Sequence, residues 1–205
     1  MPIFYKDNKR ILFIHIPKCG GSYIEHLFLK NGFKVEYLDG GKEGNLNFVR
    51  KCSPQHMHFQ MLDMNFNLDR FDYVFTVVRK PLERIISEAH MRIGGQNLNI
   101  SLDEWILKAL ENYSNNNYIY DNHLRPQIEF VYKGVDVFKQ EDGLDDNFIL
   151  KIEKKIGLHF EFKNIGRKMT RNQFTNGKEL LINEKTQKCI KKFYSKDYKE
   201  FGYDL

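Results

Sequence analysis

Ile11-Leu-Phe-Ile-His-Ile-Pro-Lys-Cys-Gly-Gly-Ser22 is the stretch that decides the fold. Ile11 to Ile16 is continuous, apolar and rich in β-branched residues, and Pro17 bounds it, as expected of a strand buried on both faces of a parallel sheet. From Tyr23 the apolar positions Ile24, Leu27 and Phe28 recur at helical spacing. Strand, glycine turn and helix in that order suit an anion site at a helix N-terminus. Glycines let backbone N–H groups approach the ligand, the helix dipole favours negative charge, and Lys18 and Ser22 add a cation and a donor. Lys18 precedes the glycines, so this is not a Walker A loop. A strand-to-helix turn that needs only flexible glycines is the plain alternative.

Working outward, Tyr73-Val-Phe-Thr-Val-Val78 is a second buried strand that runs into Arg79, with Pro81 at a first helical position. Leu82, Ile86, Ala89 and Ile93 mark the helix that follows. Arg79 and Ser87 could share one phosphate across its first two turns, although Arg79 could equally pair with Glu83 and Ser87 be an ordinary helix serine. Ser101-Leu-Asp-Glu104 is a capping-box pattern that opens a helix. Tyr113 to Asn122 reads as a loop, Val135 to Phe138 as a third core strand, Leu144 to Ile156 as a helix, Asn164 to Asn176 as irregular, and Glu184 to Phe201 as the closing helix. Alternating strands and helices predict a three-layer α/β/α domain around a mostly parallel sheet.

Composition narrows the function classes. The 205 residues, 41% hydrophobic, suffice for one sizeable core, and the chain is read as one domain, 1–205. Thirty-two basic against 27 acidic residues leave a net charge of +5, which suits an anionic ligand, and the dispersed basic residues do not predict a nucleic-acid partner. Cys19, Cys52 and Cys189 are odd in number and lack C-x-x-C spacing, so neither a disulfide framework nor a zinc site is expected, and a reducing compartment fits. A short polar stretch leads from Met1 into the first apolar run, with no signal-peptide core and no membrane span. A cytoplasmic location, without integral membrane association, is expected from a start at Met1.

Taken together, Ile14-His-Ile-Pro-Lys-Cys-Gly-Gly-Ser22 and Phe75-Thr-Val-Val-Arg-Lys-Pro-Leu-Glu-Arg-Ile-Ile-Ser87 resemble, in order as well as content, the sulfotransferase superfamily, particularly its glycan O-sulfotransferase branch, which includes heparan sulfate 2-O-sulfotransferase. The resemblance implies a P-loop-like sulfotransferase fold and a donor, 3′-phosphoadenosine 5′-phosphosulfate (PAPS), that leaves as adenosine 3′,5′-bisphosphate. Lys18, Cys19, Gly20, Gly21, Ser22 and Tyr23 would hold its 5′ end, and Arg79 and Ser87 its 3′-phosphate. The family commonly has Thr at the position of Cys19 and an acidic residue or His at that of Lys80. Arg167 and Lys168 fall in its cofactor-covering loop.

Between the two loops, Ser53-Pro-Gln-His-Met-His58 is similar to a His-x-His segment that carries the family's base. The matching position is His58, with His56 the reserve, because in an extended segment both side chains share a face. A structural histidine pair is the alternative, and no third metal ligand has recognisable spacing. Lys18 would stabilise the leaving group, and no metal is implied. Asn122, His123, Arg125 and Gln127, in Asp121-Asn-His-Leu-Arg-Pro-Gln127, would grip a carbohydrate or glycoside acceptor, or else form a capped loop. Two rivals remain: a nucleotide kinase or phosphohydrolase on a related fold, and a non-catalytic glycan- or nucleotide-binding protein.

Overall fold

The structure is a computed structural model that describes residues 1–39, 49–163 and 182–204. Its centre is a five-stranded sheet of β1 (Ile3–Lys6), β2 (Lys9–Ile14), β3 (Lys34–Glu36), β4 (Tyr73–Val78) and β5 (Asp136–Lys139), in the order β3-β1-β2-β4-β5. β2, β4 and β5 are parallel, with Phe13 beside Phe75 and Phe75 beside Asp136. This is the predicted parallel core, with its third strand displaced by one residue.

The antiparallel half departs from the sequence reading. What reads as a polar N-terminal stretch is β1, joined to β2 by a two-residue hairpin in which Asp7 and Asn8 have φ of 48° and 61°. Asp and Asn tolerate that left-handed conformation, which a type I′ turn demands at both positions. β3 then pairs with β1 on the far edge.

The helices are α1 (Gly21–Lys30), α2 (Phe59–Asn65), α3 (Pro81–Gly95), α4 (Leu102–Asn115), α5 (Asp146–Ile156), α6 (Glu184–Phe193) and α7 (Ser195–Glu200). Ser101 caps α4 by accepting from the Glu104 N–H at 3.2 Å, as its capping-box pattern requires. α4 runs further into the expected loop, to Asn115, and the expected closing helix breaks at Tyr194 into α6 and α7. The side chains of α1 and α5 share the sheet's core, where Phe75 packs on Phe28 and Phe148 at centroid distances of 6.0 and 6.4 Å. α3, α4, α6 and α7 close a second apolar cluster around Trp105, Ile106, Ile190 and Tyr198. The fold is a mixed α/β architecture, and among the described residues no helix is long and apolar enough to cross a membrane.

Parallel strands end on one edge of a sheet. The segments after β2 and β4 therefore emerge side by side, which is where open α/β sheets gather ligands.

Candidate active site

The first loop follows β2. Lys18 has φ of 67° and Gly20, the N-cap of α1, has φ of 88°. A Cβ on Gly21 would collide with the His15 imidazole, so this glycine is required by space. No side chain caps α1 and no acidic residue lies in its first turn, which leaves its leading N–H groups to an anion. Ser22 is exposed beside them, and Tyr23, half-buried, donates its hydroxyl to the Lys163 carbonyl at 3.3 Å. Cys19 turns inward: its thiol meets Gln127 Oε1 at 3.3 Å, and burial pushes it up to about 12.

The second loop meets the first. Arg79 donates from Nη1 to the Lys18 carbonyl at 3.3 Å, and its Nη2 lies 3.7 Å from Glu83. The Glu83 pairing weighed as the alternative is thus present, and it is long and half-exposed. Ser87 lies half-buried two turns into α3. Lys18 Nζ lies 3.3 Å from Met91 Sδ, a weak acceptor. Burial lowers its ammonium below the ordinary lysine value, Glu88 opposes that, and Arg79 and Arg92 lower it further. The Arg79 side chain and the Lys18 backbone therefore meet, and the segments after β2 and β4 are neighbours in space.

A group of imidazoles gathers around His56. Pro54–His56 is a turn of 3-10 helix rather than an extended segment, and the two rings have different neighbours, His15 and His123 for His56 and Tyr118 for His58. His56 Nδ1 lies 2.8 Å from Asp121 Oδ2, and Asp121 also accepts from the Ser53 N–H at 2.5 Å and hydroxyl at 2.8 Å. Burial works against the Asp121 charge, but the bonds from His56 and Ser53 outweigh it and hold the carboxyl at about 2. Burial likewise drives His56 down to about 3, against the pull of Asp121. A neutral imidazole beside an acceptor-only carboxylate carries its proton on Nδ1, leaving the Nε2 lone pair open. His58 sits on the Tyr118 ring at 5.8 Å with a buried Nδ1 that has no hydrogen-bond partner among the described residues.

Two more imidazoles flank His56 edge-to-face. His15 is 5.1 Å away, its Nδ1 2.6 Å from Glu25, and His123 is 4.8 Å away, its Nδ1 2.6 Å from Glu88. Glu88 is 1% exposed and also accepts from Arg92 Nε at 2.8 Å. Burial disfavours its charge, but His123 and Arg92 hold it ionised at about 2.

Of the expected acceptor residues, three are framework. Gln127 is wholly buried, accepting from the Arg79 N–H at 2.9 Å and donating to the Arg79 carbonyl at 2.8 Å. Asn122 donates to the His56 carbonyl at 2.9 Å, and Arg125 donates to Asn122 Oδ1 at 2.9 Å. His123 stays beside His56. Arg167 and Lys168 lie outside the described residues.

Sequence reasoning passed over Arg84, Glu88 and Arg92. They stand at i, i+4 and i+8 of α3. Arg84 is 2% exposed and donates to the carbonyls of Pro17 at 3.0 Å, Arg125 at 2.9 Å and His123 at 2.7 Å, tying the first loop to the segment that carries His123 and Arg125. A signal existed: Arg84 directly precedes the apolar pair Ile85-Ile86, one turn after Pro81.

The model of a sulfotransferase family matches residues 1–204. No curated protein matches the chain by sequence. Among solved structures, a sulfotransferase from Alicyclobacillus acidocaldarius aligns at 16% identity with a TM-score of 0.42, covering 71% of this chain and 59% of that enzyme. With the family's pattern running from end to end over a sheet whose two loops meet at Lys18 and Arg79, the chain belongs to the sulfotransferase family.

Proposed function

We infer that the protein transfers a sulfuryl group from PAPS to a hydroxyl of a carbohydrate, with His56 as the base and Lys18 at the leaving group. The observation that carries this reading is the junction of the two loops, Arg79 Nη1 to Lys18 O at 3.3 Å, linked through Arg84 to His123, the neighbour of an imidazole, His56, that is tethered to a carboxylate. The residues present suit PAPS. The uncapped start of α1, Lys18 and Ser22 match its 5′ end, and Arg79 and Ser87 its 3′-phosphate. When bound, PAPS supplies an activated sulfuryl group on an anhydride oxygen.

The chain's own residues do the rest. Asp121 fixes the His56 tautomer, so Nε2 can take the acceptor's hydroxyl proton as that oxygen attacks sulfur, and the carboxylate then stabilises the imidazolium. Lys18 and the leading N–H groups of α1 meet the charge left on the departing oxygen, a role positioned cations also play in phosphoryl transfer. His58, the position matched by family resemblance, has no such carboxylate, which is why we assign the base to His56.

A carbohydrate acceptor is supported by the surface nearby. Lys51, Ser114, Asn115, Asn116, Asn117 and Tyr118 line an open cleft of about 510 Å³, with Lys51 over the Tyr118 ring at 5.5 Å. Amides, a hydroxyl and an aromatic face are the groups that sugars engage. The test is transfer of ³⁵S from labelled PAPS to a panel of oligosaccharides, with EDTA present. Labelled sugar supports the reading; magnesium-dependent ATP turnover without labelled product would replace it with the phosphohydrolase rival.

A further inference from the structure

His56, Asp121 and His123 each present a ligand atom within 4.8 Å of the other two. We propose that these three residues form a site for a divalent transition-metal ion of zinc-like preference, and that the ion silences the base. Its effect on transfer rests on His56 being that base; its binding does not.

Two imidazoles and one carboxylate are a donor set that suits zinc and its neighbours better than magnesium or calcium. The surroundings resemble the outer shell of a metal site more than a chance cluster. His123 Nδ1 is engaged by Glu88 at 2.6 Å, which leaves Nε2 for the cation, and Arg92 fixes Glu88 in turn at 2.8 Å. Such a carboxylate behind a ligating imidazole sets its tautomer and raises its basicity. Asp121 is anchored by Ser53 from both its N–H and its hydroxyl.

His56 Nδ1 and Asp121 Oδ2 stand 2.8 Å apart and share one proton. Two ligands bonded tetrahedrally to zinc at about 2.0–2.1 Å stand about 3.3 Å from each other, so an opening of ~0.5 Å lets the cation take the proton's place. The proton moves to Nε2 of the same ring, and the imidazole remains neutral. Nε2 is then a donor and cannot take up the acceptor's proton. The three protein ligands leave a fourth position open to water.

The experiment uses Co²⁺ as a spectroscopic stand-in on the purified chain without PAPS. One equivalent should raise visible d–d absorption, which Zn²⁺ displaces. Asp121→Asn and His123→Gln should each weaken binding by about tenfold or more, Glu88→Gln by about 10–100-fold, and His159→Gln, on the exposed surface, should change nothing. Far-ultraviolet circular dichroism checks that each variant folds. Should one fail to fold, ring resonances of the zinc-loaded wild type serve instead, where His56 and His123 should shift and His159 should not. Absence of the d–d band, an unaltered band in folded Asp121→Asn and His123→Gln, or unshifted His56 and His123 rings overturns the proposal. Sulfuryl transfer that Zn²⁺ stops and EDTA restores is the expected consequence. A chain that binds Co²⁺ but transfers no sulfuryl group loses the transferase reading alone, and one that transfers but binds no Co²⁺ loses only the metal site.

Discussion

Around Lys18 and Arg79 the cations are weakly partnered, whereas around His56 each of three imidazoles has a carboxylate within 2.6 to 2.8 Å. Lys18 meets a thioether and Arg79 a carboxylate 3.7 Å away. The Lys18 and Arg79 side thus carries positive charge that is little neutralised by close carboxylates, as a site for an anion would require. Around His56 the carboxylates are ionised and each is hydrogen-bonded to an imidazole, so an imidazolium formed there meets a negative charge already in place. Substitutions of Lys18 and Arg79 should change binding and chemistry with little change in stability, and those around His56 should change stability as well.

The largest effect is expected at the base. His56→Ala should cut transfer by about 10²–10⁴-fold while leaving affinity for adenosine 3′,5′-bisphosphate intact, and His58→Ala should cost far less. Steady-state rates alongside calorimetric titration decide it, and the reverse ranking would return the base to His58. Next, Lys18→Ala should lower kcat by about 10²–10³-fold with a smaller change in nucleotide affinity. Arg79→Ala should show the opposite split: about tenfold or more weaker nucleotide binding, near-normal kcat at saturation, and a folding stability within about 0.5 kcal/mol of wild type by urea unfolding. Equal affinity in wild type and Arg79→Ala would remove the 3′-phosphate role.

Beside His56, Asp121→Asn should lower stability by about 1–3 kcal/mol, since buried partners at Ser53 and His56 lose their acceptor. The last prediction concerns pH. His56 titrates near 6.5 in the unfolded chain and at about 3 when folded, so below 6.5 the unfolded chain takes up a proton that the folded chain refuses. The contribution to stability is complete above that value and is lost as pH falls toward 3. Thermal midpoints followed downward from neutral pH should decline through this window, and His56→Ala should flatten the decline. A midpoint that stays level in wild type would mean that His56 is not buried as a neutral ring.

What could be read from the sequence follows from how local each feature is. The β2 loop is a contiguous pattern, and its strand, glycines and helix obey short-range rules of sterics and dipole. The same holds for the capped start of α4 and for Pro81 after β4. β1 escaped because its turn is Asp7-Asn8, two left-handed residues in a stretch whose charge reads as coil. Arg84 and Glu88 escaped because the sheet-edge loops, not the helix, decide which side of α3 is covered.

The residues alone therefore determined the fold class and the two strand-end loops. Only the tertiary structure decided which of His56 and His58 stands beside a carboxylate. Asp121 lies 65 residues from His56, and Glu88 lies 35 from His123. Hydrogen bonds at such separations depend on where the chain returns, and no local spacing encodes that.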